Sequence, residues 1–270
     1  MPAYDPPMSD GPVGGDALFE IDGEVAVPSE LTRGPWDAGA MHGGPPSALL
    51  ARAVEECDPG PATFLARLTV ELLRPIPLRP LTVSARTVRP GKMVHWIEAT
   101  LRAGDVEVAR AVGLRLRTVT GSMVATPPLD DYPGPETGTT IDLDPQSVRG
   151  IGFWNANEIR MVAGTFLAAG PGSAWLRLTV PLVAGEEPTP AQRVAAAADF
   201  ASGIGTPLDV AFAAAINADL TVALHRTLRG EWVGIEARAW AQPQGTGMAE
   251  AVIHDLDGPV GRSVQSLLVR

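Results

Sequence analysis

The segment LTVELLR at residues 68–74 recurs as LTVALHR at residues 220–226, and this recurrence decides how the whole chain is organised. The same offset of 152 residues, with no gap, gives 14 identities over the 49 positions from 68 to 116. This composition would produce about four identities by chance. The sequence therefore predicts two copies of one structural unit.

Each copy shows the same order of elements: a short extended segment, one helix, and three or four strand-like runs. The first helix is predicted over PPSALLARAVEE at 45–56, which follows two glycines. The second is predicted over PAQRVAAAADFAS at 190–202, ended by Gly203 and Gly205. Strand-like runs rich in β-branched residues follow each helix and are separated by turn signals.

Strands joined by short turns pair antiparallel, and one helix per sheet must lie across it to bury its apolar side. We therefore expect an α+β fold with two antiparallel sheets, each wrapping one central helix. The expected N-terminal unit covers residues 16–119 and the C-terminal unit 148–270. Residues 120–147 are rich in Pro, Gly and Thr and are expected to form the linker.

Composition excludes several classes of function. Residues of hydrophobic type make up 45% of the chain, which is enough for a packed core, and the formal net charge is −10. With no run of Lys or Arg, a nucleic-acid partner is not expected. No apolar stretch has the length of a membrane span, no secretory signal is visible, and the one cysteine, Cys57, excludes a disulfide framework within the chain. A cytoplasmic location is the resulting expectation.

Particular motifs resemble the acyl-CoA thioesterase II family, whose members have a double hotdog fold. The segment WDAGAMHGGPPSALLARAVEE at 36–56 is similar to the family's first helix entry, which opens with a Gly-Gly pair. In the second half, AAAADFASGIGTPLD at 195–209, NADLTVALHR at 217–226 and GRSVQSLLVR at 261–270 resemble the helix with its Asp, the strand with a short polar residue, and the last strand with its Gln. The resemblance extends from about residue 18 to the C-terminus apart from the linker.

The resemblance implies that Asp199, Asn217 and Gln265 form the catalytic group of a thioester hydrolase acting on acyl-CoA in fatty acid metabolism. Members of the family commonly have Thr or Ser where this chain has Asn217, and an amide can still orient a water or a carboxylate because it offers a donor and an acceptor. Thr221, on the same strand, is a fallback candidate. The backbone N–H groups of Gly43 and Gly44 could bind the oxyanion.

Two roles of Asp199 stay open at this point. The carboxylate could hold and deprotonate a water molecule, or it could attack the carbonyl carbon itself and form a mixed anhydride. The alternative without catalysis is that Gln192, Asp199 and Ser202 form a solvated stripe at helical spacing. Against this reading, Asp199 is the only charged residue between Val194 and Ile204.

Charge and motif position suggest candidate substrate contacts. Arg86, Arg89 and Lys92 could meet the phosphates of CoA. Apolar wall residues of an acyl tunnel are suggested by motif position, namely Trp36, Met41, Phe200 and Phe212. The histidines lack the spacing of metal ligands, so neither a metal nor a cofactor is expected. The resemblance also implies that two chains associate as a homodimer.

Two further functions compete with hydrolysis. Asp37 and His42 have the Asp-x4-His spacing of hotdog-fold enoyl hydratases, in which such a pair does acid/base work across a double bond. His42 could otherwise be a substrate-binding residue. A protein that binds acyl-CoA or an acyl carrier without cleaving the thioester is the third hypothesis.

Overall fold

A computed structural model describes residues 15–58, 62–119, 121, 124, 132–141, 150–208 and 214–270. The first half contains β1 (Phe19–Asp22), β2 (Val25–Pro28), α1 (Gly44–Glu56), β3 (Thr63–Leu72), β4 (Leu81–Arg89), β5 (Val94–Ala103) and β6 (Val106–Arg117). The second half contains β7 (Thr139–Thr140), β8 (Asn157–Ala163), β9 (Gly172–Leu178), α2 (Pro190–Ala198), α3 (Ala201–Ile204), β10 (Ala215–Asn217), β11 (Asp219–Leu224), β12 (Val233–Ala241), β13 (Thr246–Asp255) and β14 (Gly258–Val269).

The strand boundaries repeat with the same offset as the sequence. Adding 152 to both ends of β4, β5 and β6 gives the bounds of β12, β13 and β14 without a shift. The strand β3 corresponds in the same way to residues 215–224, which the structure divides into β10 and β11 at Ala218. The predicted duplication is therefore present in the backbone, with one interruption that the first half lacks.

The strands of both halves belong to one continuous antiparallel sheet with the order β1-β2-β4-β5-β6-β3-β11-β14-β13-β12-β9-β8-β7, and β10 pairs with β14. The halves meet where β3 pairs with β11, and there Thr69 lies opposite Thr221, its own counterpart in the repeat. The expectation of two separate sheets needs correction for this reason. Equivalent edge strands pair with each other, because pairing satisfies the N–H and C=O groups that each edge would otherwise leave open.

The helices lie together against this sheet. The helix α1 packs against α2 and against β4, β5 and β6, and its middle residues Ala48, Leu49, Leu50 and Ala51 are fully buried. Thr189 caps α2 through a capping box with Gln192, and both side chains also donate hydrogen bonds to Glu55 near the end of α1. Burial raises the pKa of the Glu55 carboxyl, although these hydrogen bonds oppose the shift.

The second predicted helix is interrupted. The helix α2 ends at Ala198, Asp199 and Phe200 form a turn, and α3 follows as a short helix with Gly205 at its C-cap. The break places Asp199 at the end of a helix rather than in its middle. Within the described ranges, no helix is long and apolar enough to cross a membrane.

Candidate active site

A cavity of about 760 Å³ opens between the two halves, and four of the eight candidate site residues line it, namely His42, Gly43, Asp199 and Asn217. The first half contributes the segment around His42 and the end of β3, and the second half contributes the turn at Asp199 and strand β10. Its walls are largely apolar and include Trp36, Met41 and Phe200, which were the expected wall residues. Phe212, the fourth expected wall residue, lies outside the described residues.

Asp199 is the buried charge of this cavity, with only 4% of its surface exposed. Its Oδ1 accepts hydrogen bonds from Asn217 Nδ2 at 2.7 Å and from Gln265 Nε2 at 3.3 Å, and its Oδ2 lies 2.7 Å from His42 Nδ1. A carboxylate that has left water must be paired or hydrogen-bonded, and here three side chains surround it. The solvated helix stripe is therefore wrong for Asp199.

The interruption between β10 and β11 positions Asn217. Asn217 is the last residue of β10, and its Cα partner across the pair with β14 is Leu267. The next residue, Ala218, donates its N–H to Ser266 and accepts the N–H of Leu72 from the first half. These two hydrogen bonds, one to each half, hold the end of the strand in place. They thereby direct the side-chain amide of Asn217 toward Asp199.

Gln265 is fully buried, and it bridges two parts of the site. Its Oε1 accepts the backbone N–H of Ser202 in α3 at 3.1 Å, and this fixes Nε2 toward Asp199. Its counterpart in the repeat is Gly113, where an added Cβ would stand 2.3 Å from Val54 Cγ1 of α1. The first half packs its helix too closely to admit a side chain at position 113, so a glutamine fits at this position of the repeat in the second half and not in the first.

His42 is brought to the site from the first half. Its ring stands between Phe153 and Phe200, with centroid distances of 5.1 and 4.7 Å. Its Nδ1 also lies 3.1 Å from the backbone nitrogen of Gly44. One ring nitrogen cannot donate to Asp199 and accept from Gly44 together, and the shorter contact, at 2.7 Å to the carboxylate, favours the tautomer with its proton on Nδ1. The neutral ring then has its lone pair on Nε2.

The two glycines fill different roles in the geometry. A Cβ on Gly43 would lie 2.7 and 2.8 Å from the two carboxylate oxygens of Asp199. A Cβ on Gly44 would lie 2.6 Å from the carbonyl oxygen of Ala196 and from the Phe153 ring. Gly43 therefore admits the carboxylate, whereas Gly44 lets α1 approach α2. The N–H of Ser47 already donates to the Gly43 carbonyl at 3.1 Å.

Several candidates are not brought into this cluster. Asp37 lines the cavity but is exposed, and its Oδ1 accepts the N–H of Gly39 at 2.8 Å. Thr221 lies on the seam, where its hydroxyl is 3.3 Å from that of Thr69, and Arg86 pairs with Glu98 on the surface of the first half. Neither of these two residues is in the cavity lining. The structure thus pairs His42 with Asp199 rather than with Asp37.

Sequence reasoning missed two features of this cavity. The pairing of His42 with Asp199 joins residues from different halves, and no spacing within the chain indicates it. Two arginines, Arg74 and Arg270, also line the cavity. A signal for Arg74 was present in the repeat, because its counterpart Arg226 is also an arginine whereas Asp255 is replaced by Ala103.

The antiparallel sheet packed against its helices has the architecture of a hotdog-type protein, and the described residues form a polar site around Asp199. Solved structures share this architecture at low sequence identity. A protein of unknown function with a hotdog fold from Alicyclobacillus acidocaldarius is 15% identical, with a TM-score of 0.73, covering 94% of this chain and 97% of its own. An acyl-CoA thioesterase II from Mycobacterium marinum is 16% identical, with a TM-score of 0.66, covering 93% and 95%. A TesB protein from Mycobacterium avium subs paratuberculosis is 18% identical, with a TM-score of 0.67, covering 93% and 96%.

Family models identify the chain more specifically. Residues 32–116 match the acyl-CoA thioesterase N-terminal domain, and residues 124–269 match the acyl-CoA thioesterase C-terminal domain. The chain therefore belongs to the acyl-CoA thioesterase family and is a thioesterase. Among curated proteins, no sequence matches it.

Proposed function

We propose that this protein hydrolyses acyl-CoA thioesters to a free acid and CoA in the cavity between its halves, with Asp199 as the central carboxylate. The main supporting observation is the contact of Asp199 with His42 and Asn217 in the lining of a largely apolar cavity, together with its contact with the fully buried Gln265. An apolar cavity with a few converging polar groups is the usual form of a small-molecule site. Family membership supplies the thioester chemistry.

The pair formed by His42 and Asp199 is the general base in this proposal. With Nδ1–H donated to Asp199, the Nε2 of His42 can take a proton from a water molecule as that water attacks the carbonyl carbon. The carboxylate stabilises the imidazolium that forms, as the buried Asp of a catalytic triad does. Asn217 and Gln265 are positioning residues, since they hold the carboxylate and not the water.

The remaining steps need hydrogen-bond donors that stabilise the oxyanion and a proton for the leaving thiol. Attack converts the thioester carbonyl into an oxyanion, and the backbone N–H groups of Gly43 and Gly44, at the N-terminal end of α1, are its donors in this proposal. When the tetrahedral intermediate collapses, the C–S bond breaks and the imidazolium returns its proton to the CoA sulfur. The proton that His42 takes from water is thus the one that the leaving thiol receives, and no covalent intermediate on Asp199 is needed.

We also propose that each half is a hotdog unit, with residues 16–119 and 148–270 as the two domains and 120–147 as their connection. The matching strand bounds of β4–β6 and β12–β14 support this division. The single polar cluster follows from the divergence of Gln265 from Gly113 and of Asp199 from Ser47. One active site per chain is therefore expected, shared between the domains.

Free-thiol release from a panel of acyl-CoA substrates tests the proposal. The purified chain should release CoA and a free acid in equal amounts. Hydration of an enoyl-CoA without thiol release would instead favour the hydratase hypothesis. Saturable binding of acyl-CoA with no turnover of any substrate would favour the binding protein, and either result would overturn the proposal.

A further inference from the structure

We infer that Arg74 and Arg270 bind the phosphate groups of the CoA part of the substrate. This inference rests on the proposed function and deepens it by assigning the end of the cavity that holds the carrier. Both arginines line the cavity that contains Asp199, and both are exposed, whereas Asp199 is buried. The two arginines therefore stand at the solvent end and the carboxylate at the inner end.

Among the described residues, Arg74 lacks the acidic partner that the equivalent arginine of the second half, Arg226, has. Arg226, 152 residues later, forms two hydrogen bonds with Asp255 at 2.5 and 2.6 Å and a third with the carbonyl of Gly258. The position equivalent to Asp255 in the first half is Ala103. Within the described part of the chain, Arg74 forms no ion pair, although acidic residues outnumber basic ones by 31 to 21.

The backbone holds both arginines in place while their side chains stay available. The N–H groups of Leu73 and Arg74 both donate to the carbonyl of Val108, at 3.1 and 3.3 Å. The N–H and carbonyl of Arg270 pair with Ala214 at 3.0 and 2.7 Å. A guanidinium with a fixed backbone loses less freedom on binding an anion than one on a loose loop.

The side-chain carboxylates of the cavity already have partners. Among the described lining residues, these carboxylates are Asp37 and Asp199. Asp199 is occupied by His42, Asn217 and Gln265, and Asp37 accepts from the backbone of Gly39. Guanidinium groups bind phosphate oxygens through paired N–H donors. CoA carries its phosphates at the end remote from the thioester, which matches the exposed arginines and the buried carboxylate.

The test compares substrates that share the thioester and differ in phosphate. Steady-state kinetics are measured for R74A, R270A and the double variant with an acyl-CoA, the matching acyl-4′-phosphopantetheine, and the matching S-acyl-N-acetylcysteamine. R229A is the control, because Arg229 is an exposed arginine outside the cavity and pairs with Asp257. We expect each cavity variant to raise KM for acyl-CoA about tenfold, with kcat within about twofold, and R74K to recover part of the loss.

The three substrates separate the sources of the effect. A loss with acyl-CoA alone assigns the contact to the adenosine phosphates, and a loss shared with the phosphopantetheine substrate assigns it to the phosphate nearest the arm. An equal loss with the N-acetylcysteamine substrate, or no loss in the double variant, would overturn the inference. If the wild-type chain hydrolyses nothing, the proposed function fails, and calorimetric binding of free CoA to wild type and R74A still decides the arginine assignment.

Discussion

The imidazole of His42 and the carboxylate of Asp199, which come from opposite halves of a duplicated chain, lie 2.7 Å apart (Nδ1 to Oδ2) in the wall of one cavity. The two halves are thus combined in a single site, since neither half contains the pair alone. The seam between β3 and β11 keeps this relationship fixed, because it joins the halves into one sheet.

Removal of the imidazole should abolish most of the proton transfer. We expect H42A to lower kcat for thioester hydrolysis by about 10²–10⁴-fold, the usual contribution of a general base. The matched control is H225Q, since His225 is exposed and does not line the cavity. A kcat for H42A within threefold of wild type, with an unchanged Tm, would exclude His42 as the base.

A methyl group added at Gly43 should displace the carboxylate of Asp199 and leave the fold intact. Its Cβ would stand within 2.8 Å of both oxygens of Asp199, and these cannot retreat because three side chains hold them. We expect G43A to lose at least tenfold in kcat/KM. In G39A the nearest atom to the new Cβ is 3.5 Å away, so that variant should retain activity. Equal activity of the two variants would contradict the placement of Asp199 beside Gly43.

The amide of Asn217 should be replaceable by a hydroxyl but not by an apolar group. Asn217 donates to Asp199 Oδ1 at 2.7 Å, and Thr also offers a donor. We expect N217V to lower kcat tenfold or more because one buried oxygen of Asp199 loses its shortest hydrogen bond. N217T should stay within tenfold of wild type. If N217V matches wild type in kcat, Asn217 has no positioning role.

The ion pair between Arg226 and Asp255 should make stability depend on pH in a defined direction. Burial alone would raise the pKa of Asp255, but hydrogen bonds from Arg226 and from the N–H groups of Arg229 and Asp257 outweigh it and hold the pKa below its ordinary value of 3.8. A carboxyl whose pKa is lowered by folding stabilises the native state above its unfolded pKa. That contribution is lost as the pH falls through the folded pKa.

Denaturant unfolding of wild type and D255N at several pH values measures this contribution. At pH 7 we expect D255N to be less stable by about 3 kcal/mol, the usual cost of removing one partner of a buried pair. The difference in the free energy of unfolding between wild type and D255N should become smaller as the pH is lowered below 4. R229A removes a surface ion pair and should change stability little. A gap that is constant with pH would show that the Asp255 charge does not stabilise the fold.

The repeat was the part of the fold that the sequence predicted best. The offset of 152 residues indicated equivalent strands, and the bounds of β4–β6 and β12–β14 reproduce it. The pairing of β3 with β11 was not predictable, because periodicity reports which face of a strand is buried and not which strand lies beside it. The break in the second helix was hidden because Ala, Asp and Phe at 197–200 all fit a helical pattern.

The site was predictable only in part for similar reasons. The resemblance to the thioesterase family named Asp199, Asn217 and Gln265, which the structure brings together. His42 was linked to Asp37 by spacing, but tertiary packing places it against Asp199. Arg74 could have been found from the repeat, since the arginine is retained at both positions while Asp255 is replaced by Ala103.

In the proposed mechanism Asp199 acts through its charge, and the D199N variant separates this charge from the shape of the side chain. This change keeps the shape of the side chain and removes the carboxylate. We predict that kcat for thiol release from acyl-CoA falls by at least 10³-fold in D199N, while Tm and the affinity for free CoA stay near their wild-type values. A folded D199N protein that releases thiol within tenfold of the wild-type rate would rule out this role of the Asp199 charge.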